Sequence, residues 1–306
     1  MFLKQTYVYK AVGDCQVRAD VYRMPGDGAR PAMLWLHGGA LIFGDRETLS
    51  PDQLQRYLRA GYAVIAADYR LAPEVRLEAI VEDLQDAHDW VRMQGPGLFQ
   101  IDPERVAVIG HSAGGYLALM AGFRLHPRPK ALVSFYGYGD IAGDWYSRPD
   151  PFYSQQPAVS KEEAYRGVGS SIFTGTPFAG SLFEERYRFY VYCRQQGLWP
   201  KEVSGHDPGV EPKWFDPFCP LRNVTEDYPP TLLIHGDQDT DVPFRQSVLM
   251  AEELEHRGVE HALISMSNRG HVFDLDGDGM RDPAISNLFD QVLAFLEQHK
   301  GALKGE

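Results

Sequence analysis

The chain has 306 residues, 44% of them apolar, and a net charge of −12. That length admits one large α/β domain or two small ones, and the acidity argues against nucleic acid and anionic membrane surfaces as partners. Cys15, Cys193 and Cys219 form no C-x-x-C pair, the start Met1-Phe2-Leu3-Lys4 lacks a signal-peptide core, and no run approaches the ~20 apolar residues of a membrane span, so a cytoplasmic setting is expected.

Residues 5–10 and 15–23 alternate apolar and polar around Gly13-Asp14, which predicts a hairpin. Ala32-Met33-Leu34-Trp35-Leu36 predicts a short buried strand that runs directly into His37-Gly38-Gly39-Ala40. Leu49 to Ala60 carries a helical period with Gly61 at its C-cap. Tyr62 to Ala67 predicts the next strand and Leu77 to Met93 a long amphipathic helix. The β-branched run Arg105 to Ile109 predicts a strand; Gly110-His111-Ser112-Ala113-Gly114 follows it and a helix follows that. Ala131 to Phe135 and Thr231 to His235 predict two more strands. Phe244 to His256 predicts a helix, Ala262 to Met266 a strand and Ile285 to Gln298 a closing helix.

Apolar strands alternating with helices predict a doubly wound, mostly parallel sheet of about eight strands, covered on both faces. Catalytic groups in such sheets gather at the carboxyl ends of the strands. Residues 137–227 break the alternation: they are rich in Gly, Pro and Ser and contain no clear strand. About half of all the aromatics fall between Tyr136 and Phe218, which argues against disorder. This stretch is expected to be a cap inserted into a core made of residues 1–136 and 228–306. Most of its aromatics should form the cap's own core and a few should face a pocket. Ser181 to Gln196 predicts a helix within it.

Strand, G-x-S-x-G, helix is the context of a nucleophile elbow, where small flanking residues let the chain turn sharply and push the serine out. A serine hydroxyl needs a base to take its proton, and the base needs a carboxylate to fix its tautomer. Three aspartates compete after the strand 231–235. Asp241 suits the N-cap of the following helix and Asp237 a turn, which leaves Asp239 as the acid. Among ten histidines, His271 lies on the loop between the last strand and the closing helix, beside Gly270. His235 reads as structural, His88 as a surface residue of the long helix, and His206 as a cap residue within reach of substrate. Two glycines after His37 would turn backbone amides toward a developing oxyanion, and the amide of Ala113 is the other expected donor. Asp274-Leu275-Asp276-Gly277-Asp278-Gly279 matches the first half of an EF-hand loop. Position twelve is Ile285, which cannot supply the closing carboxylate, so a turn capping the final helix is predicted instead of a calcium site.

Residues 30–300 resemble an α/β-hydrolase of the esterase/lipase group that includes the hormone-sensitive-lipase-like carboxylesterases. The resemblance rests on His37-Gly38-Gly39-Ala40, Asp68-Tyr69-Arg70-Leu71-Ala72-Pro73-Glu74, Gly110-His111-Ser112-Ala113-Gly114-Gly115 and the segments around Asp239 and His271. It implies that Gly39, Ala40 and Ala113 donate the oxyanion amides and that Asp68 to Glu74 have a mainly structural role; Pro73 and the charged Asp68, Arg70 and Glu74 by themselves predict a hydrogen-bonded loop under the site. Ala40 stands where a third glycine is usual. The acid segment is more similar to that of prolyl-oligopeptidase-like, dienelactone-hydrolase-like and feruloyl-esterase-like relatives. Kynurenine-formamidase-like enzymes share two of these motifs.

The expected protein is a serine hydrolase of carboxylic esters with small to medium acyl or aromatic groups. Ser112 attacks, His271 relays the proton and Asp239 orients His271, with no metal or cofactor. The expected partner is a small-molecule ester; neither nucleic acid nor membrane is expected, and a homodimer is allowed. A long-chain lipase is disfavoured, since no exposed apolar helix for lipid surfaces is evident. Amide, formamide or peptide cleavage on the same triad is the alternative. From another class, a ligand-binding protein that keeps the fold without chemistry would commonly have lost the serine or the histidine.

Overall fold

Alternation within the strands decides the layering. Met33 and Trp35 point to one side of the sheet and Leu34 and Leu36 to the other, and all four are buried. Both faces therefore need cover. The computed structural model describes residues 1–301 apart from 177, 276 and 278. Among these residues eight strands form one sheet, in the order β1-β2-β4-β3-β5-β6-β7-β8. β1 (Leu3–Val12) and β2 (Cys15–Arg23) are the hairpin, and β2 lies antiparallel to β4 (Ala63–Ala67). β3 (Arg30–Leu36), β4, β5 (Ile101–His111), β6 (Leu132–Phe135), β7 (Thr231–Gly236) and β8 (His261–Met266) are mutually parallel. β5 pairs through Ile101, then again from Val106, and the irregularity between them takes up Pro103, which cannot donate to a ladder.

α1 (Pro51–Arg59) covers one face together with the closing helix; Tyr57, Leu58, Phe289 and Val292 pack there on Met33 and Trp35. α2 (Leu77–Phe99) and α3 (Ala113–Arg124) cover the other, where Leu84 and Leu117 meet Leu34 and Leu36. The segment between β6 and β7 carries α4 (Asp144–Ser147), α5 (Lys161–Ala164), α6 (Ser181–Gln196) and α7 (Trp199–Ser204). Tyr146 is sandwiched there between Trp145 and Trp199, at ring distances of 3.8 and 4.0 Å. α8 (Arg245–His256) follows β7, and α9 (Pro283–His299) closes the chain. Among the described residues no helix is long and apolar enough to cross a membrane.

Three local expectations are corrected. α2 runs past Met93 to Phe99, because Pro96 removes one hydrogen bond without ending the helix; Gln100, left-handed at φ 60°, ends it. His88 is buried, not at the surface: it lies one turn from Leu84 and Val91 on the apolar stripe of α2. The cap of α9 is Asp282, which accepts from the amide of Ala284 at 2.9 Å, and not the 274–279 turn. Asp276 and Asp278 of that turn lie outside the described residues.

Candidate active site

Parallel strands bring their carboxyl ends to one edge, and four of these ends supply the site. At the end of β5 the chain reverses within one residue. Ser112 adopts φ 55° and ψ −116°, outside the ordinary regions for a side-chain-bearing residue, and its amide donates to Phe135 O at 2.8 Å. The turn needs its glycines: a Cβ on Gly110 would stand 1.9 Å from Gly114 O, and one on Gly114 would stand 2.1 Å from Leu36 O.

From the loop after β8, His271 places Nε2 at 3.0 Å from Ser112 Oγ. Its Nδ1 lies 2.6 Å from Asp239 Oδ2, on the loop after β7. The other oxygen of Asp239 accepts the amides of Asp241 at 2.8 Å and Val242 at 2.9 Å. His235 Nε2 faces two acceptors, Asp239 Oδ2 at 3.1 Å and Val242 O at 3.0 Å, so it carries the proton. Its Nδ1 accepts from Ser247 Oγ at 2.7 Å. His235 thus braces the Asp239 carboxylate. Burial disfavours the charge on Asp239, yet the hydrogen bonds from His235 and His271 outweigh it and hold the carboxyl well below the usual range. Burial likewise disfavours protonated His271, but the carboxylates of Asp241 and Asp239 hold its pKa above the ordinary imidazole value. The arrangement is that of a hydroxyl facing a base whose tautomer is fixed from behind.

After β3 the backbone turns left-handed for three residues: Gly39 at φ 110°, Ala40 at 55° and Leu41 at 61°. A Cβ on Gly39 would lie 2.0 Å from Phe43 O, so only glycine fits there. Ala40 takes the left-handed conformation that a third glycine would adopt freely, a strain of about 1–2 kcal/mol. Contacts from the segment between β6 and β7 hold it: Trp199 Nε1 donates to Ala40 O at 2.9 Å, and Arg186 Nε to Ile42 O at 2.6 Å. Gly39 and Ala40 line a cavity of about 850 Å³ together with Ser112 and His271. Ala113, the first residue of α3, follows the serine directly, where helix amides lack an intrahelical acceptor.

The 68–74 segment is a hydrogen-bonded loop beside this turn. Tyr69 stacks on buried His37 at 4.1 Å and donates to His37 O at 2.9 Å. Burial pushes His37 down to about 4, so it is neutral. Arg70 pairs with Asp83, and Glu74 with Arg186, all with almost no solvent exposure.

The helix over Ser181–Gln196 and its pocket-facing aromatics agree with expectation, but the charged side of the wall that α6 contributes was not foreseen. Arg186, Tyr190 and Arg194 recur every four residues on one buried face of that helix. Arg194 Nη1 lies 2.8 Å from Asp241 Oδ1, which also accepts the hydroxyls of Tyr190 and, at 2.9 Å, Tyr153. Asp241 is therefore not the N-cap of α8; that position is Phe244, and three donors from the segment between β6 and β7 draw the Asp241 side chain into the cavity wall instead. The spacing of Arg186 and Arg194 on an otherwise apolar helix face was the available signal. His206, expected within reach of substrate, stacks on Trp214 and bonds Glu211 at 2.9 Å, apart from the cavity. Asp274 is buried and accepts from Gln53 at 2.6 Å and Tyr136 at 2.7 Å, with His111 at 3.1 Å. Among the described residues no cluster of His, Cys, Asp and Glu could hold a metal ion.

The sequence profile of the α/β hydrolase fold matches residues 33–173, and that of the prolyl oligopeptidase family matches residues 189–302. The chain is 30% identical to the non-reducing polyketide synthase atr1 of Stereocaulon alpinum over 92% of its own length, and it spans 13% of that protein. An α/β hydrolase superfamily protein from Enterococcus faecalis is similar in structure, with a TM-score of 0.75 and 23% identity over 97% of this chain and 99% of that one. Carboxyl esterase 2 of Tuber melanosporum has a TM-score of 0.69 and 21% identity over 98% of this chain and 88% of its own. The chain has the α/β hydrolase fold.

Proposed function

We propose that this α/β hydrolase is a carboxylesterase-type serine hydrolase in which Ser112, His271 and Asp239 are the catalytic residues. The observation that carries the reading is the alignment of Ser112 Oγ, His271 and Asp239 at 3.0 and 2.6 Å, with Ser112 and His271 facing one cavity and Asp239 buried behind them. His271 Nε2 takes the hydroxyl proton as Oγ bonds the ester carbonyl carbon. The amides of Gly39, Ala40 and Ala113 stabilise the oxyanion, each donor being worth about 3 kcal/mol. As the intermediate collapses, the bond to the alcohol oxygen breaks and Nε2 returns the proton to it. Water, deprotonated by the same nitrogen, then releases the acid and restores Ser112.

The segment 137–227 acts as the cap in this reading. Phe178, Phe183, Tyr187 and Tyr190 give the cavity an aromatic wall, which favours apolar or aromatic groups of modest size. The similarity to polyketide synthases is compatible with an aromatic or polyketide-type acyl group. The substrate is a small molecule, met in the cytoplasm. Hydrolysis of p-nitrophenyl esters from acetate to laurate, with phenylacetate and benzoate beside them, tests the reading. Turnover of short and aromatic esters, abolished in Ser112→Ala, is expected. Failure on every ester would overturn it and direct attention to N-formyl amides.

A further inference from the structure

The carboxylate of Asp241 is held asymmetrically. Oδ1 accepts from Tyr153, Tyr190 and Arg194, and Arg194 also bonds Asp241 O at 2.9 Å. Oδ2 is engaged by no hydrogen-bond donor among the described residues and faces His271 Nε2 at 3.5 Å. Three donors on one oxygen fix the orientation of the group, so Oδ2 cannot turn away from the cavity that Asp241 lines. A polar atom in such a wall is ordinarily paired. Charge points the same way. Arg194 sits between two carboxylates, Asp150 at 2.5 Å and Asp241 at 2.8 Å, and the cluster keeps one net negative charge. The open oxygen suits a donor and repels an anion.

Its position says which part of a substrate it meets. His271 Nε2 returns its proton to the leaving alcohol, so the alcohol oxygen must come within hydrogen-bond reach of that nitrogen, about 3 Å. Oδ2 stands 3.5 Å from the same atom. With the leaving oxygen beside Nε2, a hydroxyl on the carbon next to the esterified one comes within reach of Oδ2. Resting on the ester-hydrolase reading above, we infer that Asp241 is a specificity-determining residue that accepts a hydrogen bond from a hydroxyl vicinal to the esterified oxygen. The substrates are then monoesters of diols, polyols or catechols.

Three esters of one acid separate this role from others: 2-hydroxyethyl, 2-methoxyethyl and carboxymethyl benzoate, each rate divided by its alkaline hydrolysis rate. Wild type is expected to prefer the hydroxyethyl over the methoxyethyl ester by at least about tenfold in kcat/KM, the value of a hydrogen bond to a charged group. The carboxymethyl ester should be the poorest. In Asp241→Asn the amide oxygen stays with the three donors, so NH₂ faces the substrate. The hydroxyl preference should collapse toward one, and the carboxymethyl ester should gain relative to the others. A purely electrostatic action of Asp241 on His271 would change all three esters equally and leave the ratios fixed. A wild-type ratio near one overturns the inference without reference to any variant, and an unchanged ratio in Asp241→Asn overturns the assignment to this residue. Tyr153→Phe, which keeps Oδ2 in place, should retain the preference. If wild type hydrolyses none of the esters, the ester-hydrolase reading fails and takes the inference with it; hydrolysis of all without discrimination sinks the inference alone.

Discussion

Asp239→Asn tests how the site holds its base. Two atoms of the new amide must share the places of two carboxylate oxygens. On one side stand the amide N–H groups of Asp241 and Val242, at 2.8 and 2.9 Å; on the other stands His271 Nδ1 at 2.6 Å. Turning the NH₂ group toward the two backbone donors would leave both unsatisfied, at about 1–3 kcal/mol each. Keeping the oxygen there sacrifices the charge-assisted hydrogen bond to His271, worth about 1.5–3 kcal/mol, and the 3.1 Å contact from His235 Nε2, whose N–H keeps Val242 O at 3.0 Å as an acceptor and so is not left unsatisfied. The pair of backbone donors outweighs it, so the NH₂ group faces His271. It then donates to Nδ1, and the imidazole carries its proton on Nε2, facing Ser112 Oγ. A base with that tautomer cannot take the hydroxyl proton. The expected loss in kcat is about 10⁴-fold, with little change in KM and a melting temperature close to wild type. The assay is steady-state hydrolysis of a p-nitrophenyl ester beside a thermal melt. A folded Asp239→Asn protein that loses less than tenfold in kcat would refute the reasoning.

Other outcomes follow from the same geometry. His271 must be neutral to act, and its pKa is raised by its carboxylate neighbours. Activity should therefore rise with pH through a value above that of free imidazole, and Asp241→Asn should move this acid limb to lower pH. A limb that stays fixed or moves up in a kcat/KM–pH profile contradicts the placement of Asp241. Gly114→Ala puts a methyl group 2.1 Å from Leu36 O and 2.5 Å from His37 O, so the elbow must shift. Stability should fall by about 1–3 kcal/mol or more and activity should go with it; an unchanged urea midpoint with full turnover is the contrary result. Glu74→Gln leaves the Arg186 guanidinium, fully buried, without its carboxylate at 2.9 Å. A loss of about 3–5 kcal/mol is expected in urea unfolding. Because Arg186 also grips Ile42 O, kcat should drop in the protein that remains folded.

The strands were legible because they are short, apolar runs bounded by Gly and Pro, and the parallel sheet followed from their alternation with helices. Ser112 was legible because its glycines are needed sterically, and a pattern required by backbone contacts survives as a pattern in the sequence. Asp241 was not. Read locally, an aspartate before Val242-Pro243 looks like a helix cap. What claims it are Tyr153, Tyr190 and Arg194, which lie 88, 51 and 47 residues away. No local rule reports such a contact. His88 was a different kind of miss: its place on the apolar stripe between Leu84 and Val91 was readable, and residue type was allowed to outweigh periodicity. Ala40 shows a third case. Its left-handed backbone is sustained by Trp199 and Arg186, which are remote in sequence, so a residue less suited than glycine is tolerated at the turn after β3.

Covalent capture of the nucleophile tests the account most directly. The protein is reacted with a fluorophosphonate, residual esterase activity is followed, and the adduct is located by peptide mass spectrometry. One adduct on Ser112 is predicted, formed in step with the loss of activity and absent in Ser112→Ala. Full turnover by the Ser112→Ala protein, or an inactivating adduct on any other residue, would contradict it.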